Sequence, residues 1–238
     1  MQDKELTLSE HLEELRFRIL YSLASVVSIA VLAYVARAKL LEFLMQPYLR
    51  RSLIYLHPTE AFLNYLKLAG LAGIVLSTPW IMYQAWRFVL PALMEKEVKY
   101  LRLGFLLGGI LFYAGVAVAL YLALPYSLDF LSNVGGQNLD IQLSVGNYIS
   151  FVSLLSFAFG LVFELPLLII LMVKLGFATP ASLRRNRSLA IVICFSVAAF
   201  LTPTDLFSQA LMAIPLILLY EFSLLMVRLF FRESPGEG

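Results

Sequence analysis

The length of the uncharged apolar runs constrains this chain more than any other feature. Six can be marked, at about 17–36, 68–90, 101–124, 148–173, 189–201 and 207–227. A helix rises ~1.5 Å per residue, and ~20 residues cross a ~30 Å hydrocarbon core. Five of the runs are long enough; 189–201 is not, so either the bilayer thins there or the hairpin stops short. With 61% of its residues hydrophobic and 14% charged, the chain has too little polar surface to close as a soluble globule. The predicted fold is an all-α polytopic membrane protein with six transmembrane helices and a short last hairpin. It forms a single transmembrane domain over 1–238, and its tail from 232 is disordered. The first run has no small-residue cleavage site behind a short core, so it is expected to remain as a span.

Orientation follows from the basic residues. With the N-terminus in the cytoplasm, only Arg37, Lys39, Arg50, Arg51 and Lys67 fall outside, and the outer loops 125–147 and 202–206 contain neither Lys nor Arg. Both termini are therefore predicted to be cytoplasmic. The first outer stretch carries Leu40, Leu41 and Leu44 before Pro47, an amphipathic pattern suited to a cap over the outer face, and a helix after Pro58 runs into the second span. A net charge of +2, with no basic patch interleaved with aromatics, gives no reason to expect nucleic acid as a partner.

The polar residues that break this pattern are few. Thr7–Arg18, TLSEHLEELRFR, reads as a charged helical prelude. Leu8, Leu12, Leu15 and Ile19 share one face, Thr7 and Glu10 fit a capping box, and Glu14 stands four residues from Arg18. Glu164 falls near mid-membrane, where an ionisable group costs ~2.5–3.5 kcal/mol on insertion scales and function is the default expectation. The alternative is a protonated Glu164 bonded inside the bundle, or to the carbonyl near Val162 that Pro166 deprives of its donor. Glu221 lies about six residues from the cytoplasmic end of the last span. Arg184, Arg185 and Arg187 read as a positive-inside anchor, and Asp205 as the cap of the last helix.

No catalytic constellation emerges. His11 and His57 lie on opposite sides of the membrane, Cys194 is alone, and HExxH, GxSxG and Walker-type loops are absent from the sequence. An enzyme is not expected, nor is a cofactor or metal. A proton-coupled secondary transporter with Glu164 and Glu221 as relay acids is the rival reading, but no inverted repeat supports it. A purely structural scaffold is a third.

Several motifs occur together in one order: His11-Leu12-x-Glu14-Leu15-Arg16-x-Arg18, Pro47, Tyr83-Gln84-x-Trp86-x-Phe88-x-x-Pro91-Ala92-Leu93 with Glu97, Ser150-Phe151, Phe163-Glu164-x-Pro166, and Leu201-Thr202-Pro203-x-Asp205-x-Phe207-Ser208-Gln209. In these the chain resembles the TatC family, the multi-spanning receptors of the twin-arginine translocase. The resemblance implies a receptor in the cytoplasmic (inner) membrane that binds the twin-arginine signal peptides of folded cargo. It would assemble with itself, with membrane lipids and with single-span TatA- and TatB-like subunits, and transport would draw on the proton-motive force. Glu14 and Glu97 would each receive one arginine, Arg16 and Arg18 would hold the acids, and Phe88 would join the site while Leu12 and Leu15 dock the helix at the membrane surface. A carboxylate is the natural bidentate partner of a planar guanidinium, whereas lysine offers only a point charge. Glu164 would meet a partner's transmembrane helix, with Asp205 and Gln209 as weaker contacts. Pro47, Pro91, Pro166 and Pro203 would shape the backbone.

Overall fold

The structure, a computed structural model, describes residues 8–45, 54, 59–89, 98–134, 144–201 and 206–230. Pro47, Pro91, Glu97, Pro203, Asp205 and the tail from 232 lie outside them. The described chain is nearly all helix: α1 (Leu8–Val35), α2 (Arg37–Met45), α3 (Glu60–Val89), α4 (Val98–Val118), α5 (Leu124–Val134), α6 (Val145–Phe163), α7 (Leu165–Lys174), α8 (Pro180–Arg185), α9 (Arg187–Leu201) and α10 (Leu206–Phe230). Five stretches are long and apolar enough to cross a membrane, Ser9–Val35, Glu60–Phe88, Leu106–Asp129, Val145–Lys174 and Met212–Leu229, and α9 is a shorter apolar helix. Lipid cannot satisfy a backbone amide, so each span must close its hydrogen bonds internally, and helix is the form that does so.

The helices run past the boundaries that hydropathy suggests. The charged prelude is the first part of α1, continuous with the span rather than a separate piece, and Leu12 is 65% exposed. At ~1.5 Å per residue, the 28 residues of α1 measure about 42 Å, so the end bearing His11 and Glu14 extends beyond a ~30 Å core. The loop expected over 125–147 begins as helix. A π-helical segment, Ala119–Ala123, joins α4 to α5, with the Leu124 amide donating to the Ala119 carbonyl. Pro125 has no amide to continue the α-helical ladder at that point, and the Ser127 hydroxyl donates to the Ala123 carbonyl at 2.8 Å.

The chain divides into two compact units. The first holds α1, α2, α3, the start of α4 through Gly109, and Ser144–Ile149. Here α1 and α3 pack through small residues. Ala33, Ala69 and Ala72 form a buried cluster with Tyr34 and Leu40 against it, and a Cβ on Gly73 would stand 2.8 Å from both the Ala30 Cβ and the Val26 carbonyl oxygen. Small side chains let helix backbones approach closely, which is the main packing gain available where the solvent is as apolar as leucine. The amphipathic piece expected before Pro47 is α2, and its buried Leu44 accepts a 2.5 Å hydrogen bond at its carbonyl from the buried Tyr148 hydroxyl. The Glu60 carboxylate accepts from the Gly146 amide at 2.9 Å in the first turn of α6, where the helix dipole favours a negative charge. Beside it, Ile54 and Ser144 form an isolated parallel bridge.

The second unit holds α4 from Ile110, α5, α6 from Ser150, and α7 to α10. α4 and α6 meet through reciprocal glycines: a Cβ on Gly115 would lie 2.5 Å from the Phe159 carbonyl oxygen, and one on Gly160 would lie 2.6 Å from the Phe112 ring. α7 ends in a Schellman motif. Gly176, at φ 78°, permits Phe177 to donate to the Met172 carbonyl at 2.9 Å and its own amide to donate to Val173 at 3.1 Å. α8 then starts from a capping box between Thr179 and Ser182, with Pro180 behind it. Ile169, Tyr220, Leu224 and Val227 form the core where α7 and α10 meet, with Leu183 and Ala190 packed on it.

Because backbone cannot retreat as a side chain can, Gly115→Val is expected to destabilise the fold by about 1–3 kcal/mol. Gly109→Ala on the same helix, with nothing within 4 Å of the added carbon, serves as its silent control. Thermal unfolding of detergent-purified protein checks both.

Candidate functional site

The seam that brings α1 and α3 together also assembles a polar cluster. Glu14 and Arg18 sit one turn apart on α1, and both the Nε (3.0 Å) and Nη2 of Arg18 donate to Oε1 of Glu14. Arg18 Nη1 reaches across to α3 and donates to Oε1 of Gln84 at 3.3 Å, a side chain only 6% exposed. The guanidinium therefore ties the acid of one helix to the amide of the other. Its side chain is 13% exposed and that of Glu14 28%, so the pair is shielded more than a surface salt bridge. The second oxygen of Glu14, Oε2, accepts no hydrogen bond among the described residues, and His11 Nδ1 lies 3.9 Å from it. The His11 ring lies flat on Phe88 of α3, centroids 4.3 Å apart and planes 14° from parallel.

The residues picked from sequence thus divide. Glu14, Arg18 and Phe88 come together, joined by Gln84 and His11, which the sequence marked only as motif members. Arg16 is exposed and pairs with no described acid; of the two arginines expected to hold carboxylates, Arg18 does so. Leu15 is partly buried, while Leu12 projects outward. The offer of a whole carboxylate to an incoming arginine needs correction, because Arg18 already occupies Oε1.

A second polar feature stands within a span. Glu164 separates α6 from α7, its amide donating to Leu161 at 3.1 Å and its carbonyl accepting from Leu168 at 3.0 Å. Pro166 opens α7 and is buried. The break lies about 15 Å from Lys174 along the helix, which places it deep in the apolar run. Glu164 is 8% exposed as a residue, and its buried Oε1 has no hydrogen-bond partner among the described residues, nor do the Oγ atoms of Ser153 and Ser156 on α6. The internal bond considered from sequence is not made by this oxygen.

The last hairpin uses its polar groups internally. The guanidinium of Arg187, the first residue of α9, makes a two-pronged ion pair with Glu221 of α10: Nε donates to Oε1 at 2.9 Å, and Nη2 pairs with Oε2. Thus Arg187 is more than a positive-inside anchor, and Glu221, engaged by both oxygens, is a poor relay acid. Gln209, expected as a weak partner contact, donates from Nε2 to the Phe195 carbonyl at 3.0 Å, stitching α10 to α9. The Tyr220 hydroxyl donates to the Leu183 carbonyl at 2.8 Å. Among the described residues no three His, Cys, Asp or Glu side chains gather closely enough to hold a metal ion.

Fold and clusters together define a polytopic helical membrane protein. Residues 10–215 match the family of Sec-independent protein translocase proteins, TatC. The TatC protein of Carboxydothermus hydrogenoformans is 38% identical over 96% of this chain and 95% of its own length, and that of Aquifex aeolicus 39% identical over 95% and 97%. Two crystal structures of the twin-arginine translocase receptor TatC, one of them in the detergent DDM, superpose with TM-scores of 0.83 and 0.84 at 38% and 37% identity. They cover 92% and 91% of the chain and 99% of each solved structure. The chain belongs to the TatC family and shares its helical membrane fold.

Single reversals Arg187→Glu and Glu221→Arg are each expected to lower the melting temperature of detergent-purified protein, and the double reversal to recover it. Melting curves of the four proteins check the pairing.

Proposed function

We propose that this chain is the receptor and assembly core of a Sec-independent, twin-arginine protein translocase in the cytoplasmic membrane. Its termini would face the cytoplasm, as the Lys and Arg distribution favours. Glu14 reads one arginine of a cargo signal peptide, and Glu97, on the connection between α3 and α4, reads the other. The observation that carries this reading is the state of Glu14: its Oε1 is held by Arg18, which Gln84 holds in turn, while the side chain keeps 28% of its surface exposed and an aromatic wall stands beside Oε2. A carboxylate held in one orientation loses little freedom on binding, and a charge-assisted contact to guanidinium contributes roughly 1.5–3 kcal/mol.

Glu164 has a separate role in this reading. A buried carboxyl oxygen without a partner in mid-span is tolerable when a polar group of another transmembrane helix or water comes to meet it. We assign it to contact with a single-span partner of the TatA or TatB type. The complex, rather than this chain alone, couples transport of folded cargo to the proton gradient.

With a synthetic twin-arginine peptide and its twin-lysine control, Glu14→Gln and Glu97→Gln are each expected to weaken binding of the arginine peptide about ten- to hundredfold. Equal affinity of wild type and both variants refutes the receptor role. Glu164→Ala is expected to keep peptide affinity and to lose export in membrane vesicles; undiminished export removes Glu164 from partner contact.

A further inference from the structure

We propose that His11 is a specificity-determining residue of the receptor site, its ring forming with Phe88 a flat stacking surface for the guanidinium that Oε2 of Glu14 receives. The inference rests on the assignment of Glu14 to arginine recognition and adds how arginine is told from lysine there. It starts from the division of the Glu14 carboxylate. Oε1 accepts two N–H groups from Arg18, so a second guanidinium cannot take both oxygens while Arg18 stays in place. What an incoming cation meets is Oε2 alone, a single acceptor that serves an ammonium as well as a guanidinium. Oε2 by itself therefore discriminates poorly.

The discrimination has to come from shape, and the surface next to Oε2 supplies it. His11 Nδ1 lies 3.9 Å from that oxygen, beyond hydrogen-bond length, so the imidazole is a neighbour of the acceptor without consuming it. One face of the ring is covered by Phe88 at 4.3 Å and 14°, which fixes its plane. The His11 side chain nevertheless keeps 37% of its surface accessible. A guanidinium is planar and weakly hydrated and stacks on such a ring while one N–H reaches the adjacent oxygen. An ammonium reaches the oxygen but has no plane to lay on the ring and holds its water more tightly. Stacking of this kind at a partly exposed site is worth about a fivefold preference.

The test is the affinity of detergent-purified, full-length protein for twin-arginine and twin-lysine peptides, measured for wild type, Glu14→Gln, His11→Ala and His11→Phe. The expected result is that His11→Ala loses about fivefold in arginine affinity and little in lysine affinity, so that selectivity falls, while His11→Phe, which keeps a flat ring on Phe88, stays within about twofold of wild type. Wild-type selectivity with His11→Ala unchanged overturns the role of His11 and leaves the receptor reading intact. Loss of selectivity in His11→Phe equal to that in His11→Ala also overturns it, since the imidazole nitrogens and not the stacking surface would then carry the effect. Absence of selectivity in wild type fails the receptor reading itself, and this inference with it. Matched melting temperatures for the two His11 variants establish that folding does not account for the difference.

Discussion

A backbone amide left without a partner in hydrocarbon costs several kcal/mol, and most features of this molecule follow from avoiding that cost. It makes the spans helical, and it makes every interruption of a span conspicuous. Where Pro125 removes a donor, the chain answers with a π-helical turn. Where Pro166 does so, α6 ends, Glu164 forms a tighter turn, and α7 begins. Where α7 itself stops, Gly176 lets the last carbonyls be taken up by the following two amides. Each break is thus a place where the ordinary ladder is replaced by a specific local substitute.

With the backbone satisfied, association between helices rests on contact rather than on expulsion of water. Glycine and alanine in α1, α3, α4 and α6 allow this, and Gly73 and Gly115 are placed where any side chain would meet an atom of the facing helix. The α1–α3 approach has a functional result beyond packing. Arg18 and Gln84 stand 66 residues apart in sequence and meet because that seam is narrow, as do His11 and Phe88. The polar cluster is therefore a product of the small-residue interface, and its rigidity derives from the apolar part of the helices.

The spans were legible because apolar length is a property of sequence alone. So were the amphipathic α2 and the helix that runs from just after Pro58 into the second span, since each depends on neighbours a few residues away. The Glu14–Arg18 pair was legible for the same reason: four residues on a helix face one another. What sequence did not reveal depends on depth or on distant partners. Arg187 and Glu221 are 34 positions apart, and each taken alone looks like an interfacial charge or a relay acid. Gln84 and His11 showed themselves only as letters of a motif, because nothing local tells which buried amide meets a given guanidinium. The helical extension from 125 to 134 was hidden by Pro125, whose usual meaning is termination.

The pairing of Arg187 with Glu221 fixes where α9 begins: level with a residue nine positions before the end of α10. From there α9 runs 15 residues, about 22 Å, which is about 8 Å less than an ordinary hydrocarbon layer. A bilayer of ordinary thickness would have to thin beside α9 to match it, at a cost of a fraction of a kcal/mol per ångström of mismatch. A neighbour with a similarly short span would lower that cost by sharing the thinned annulus. An effect of this kind needs no matching side chains: it sorts helices by length alone.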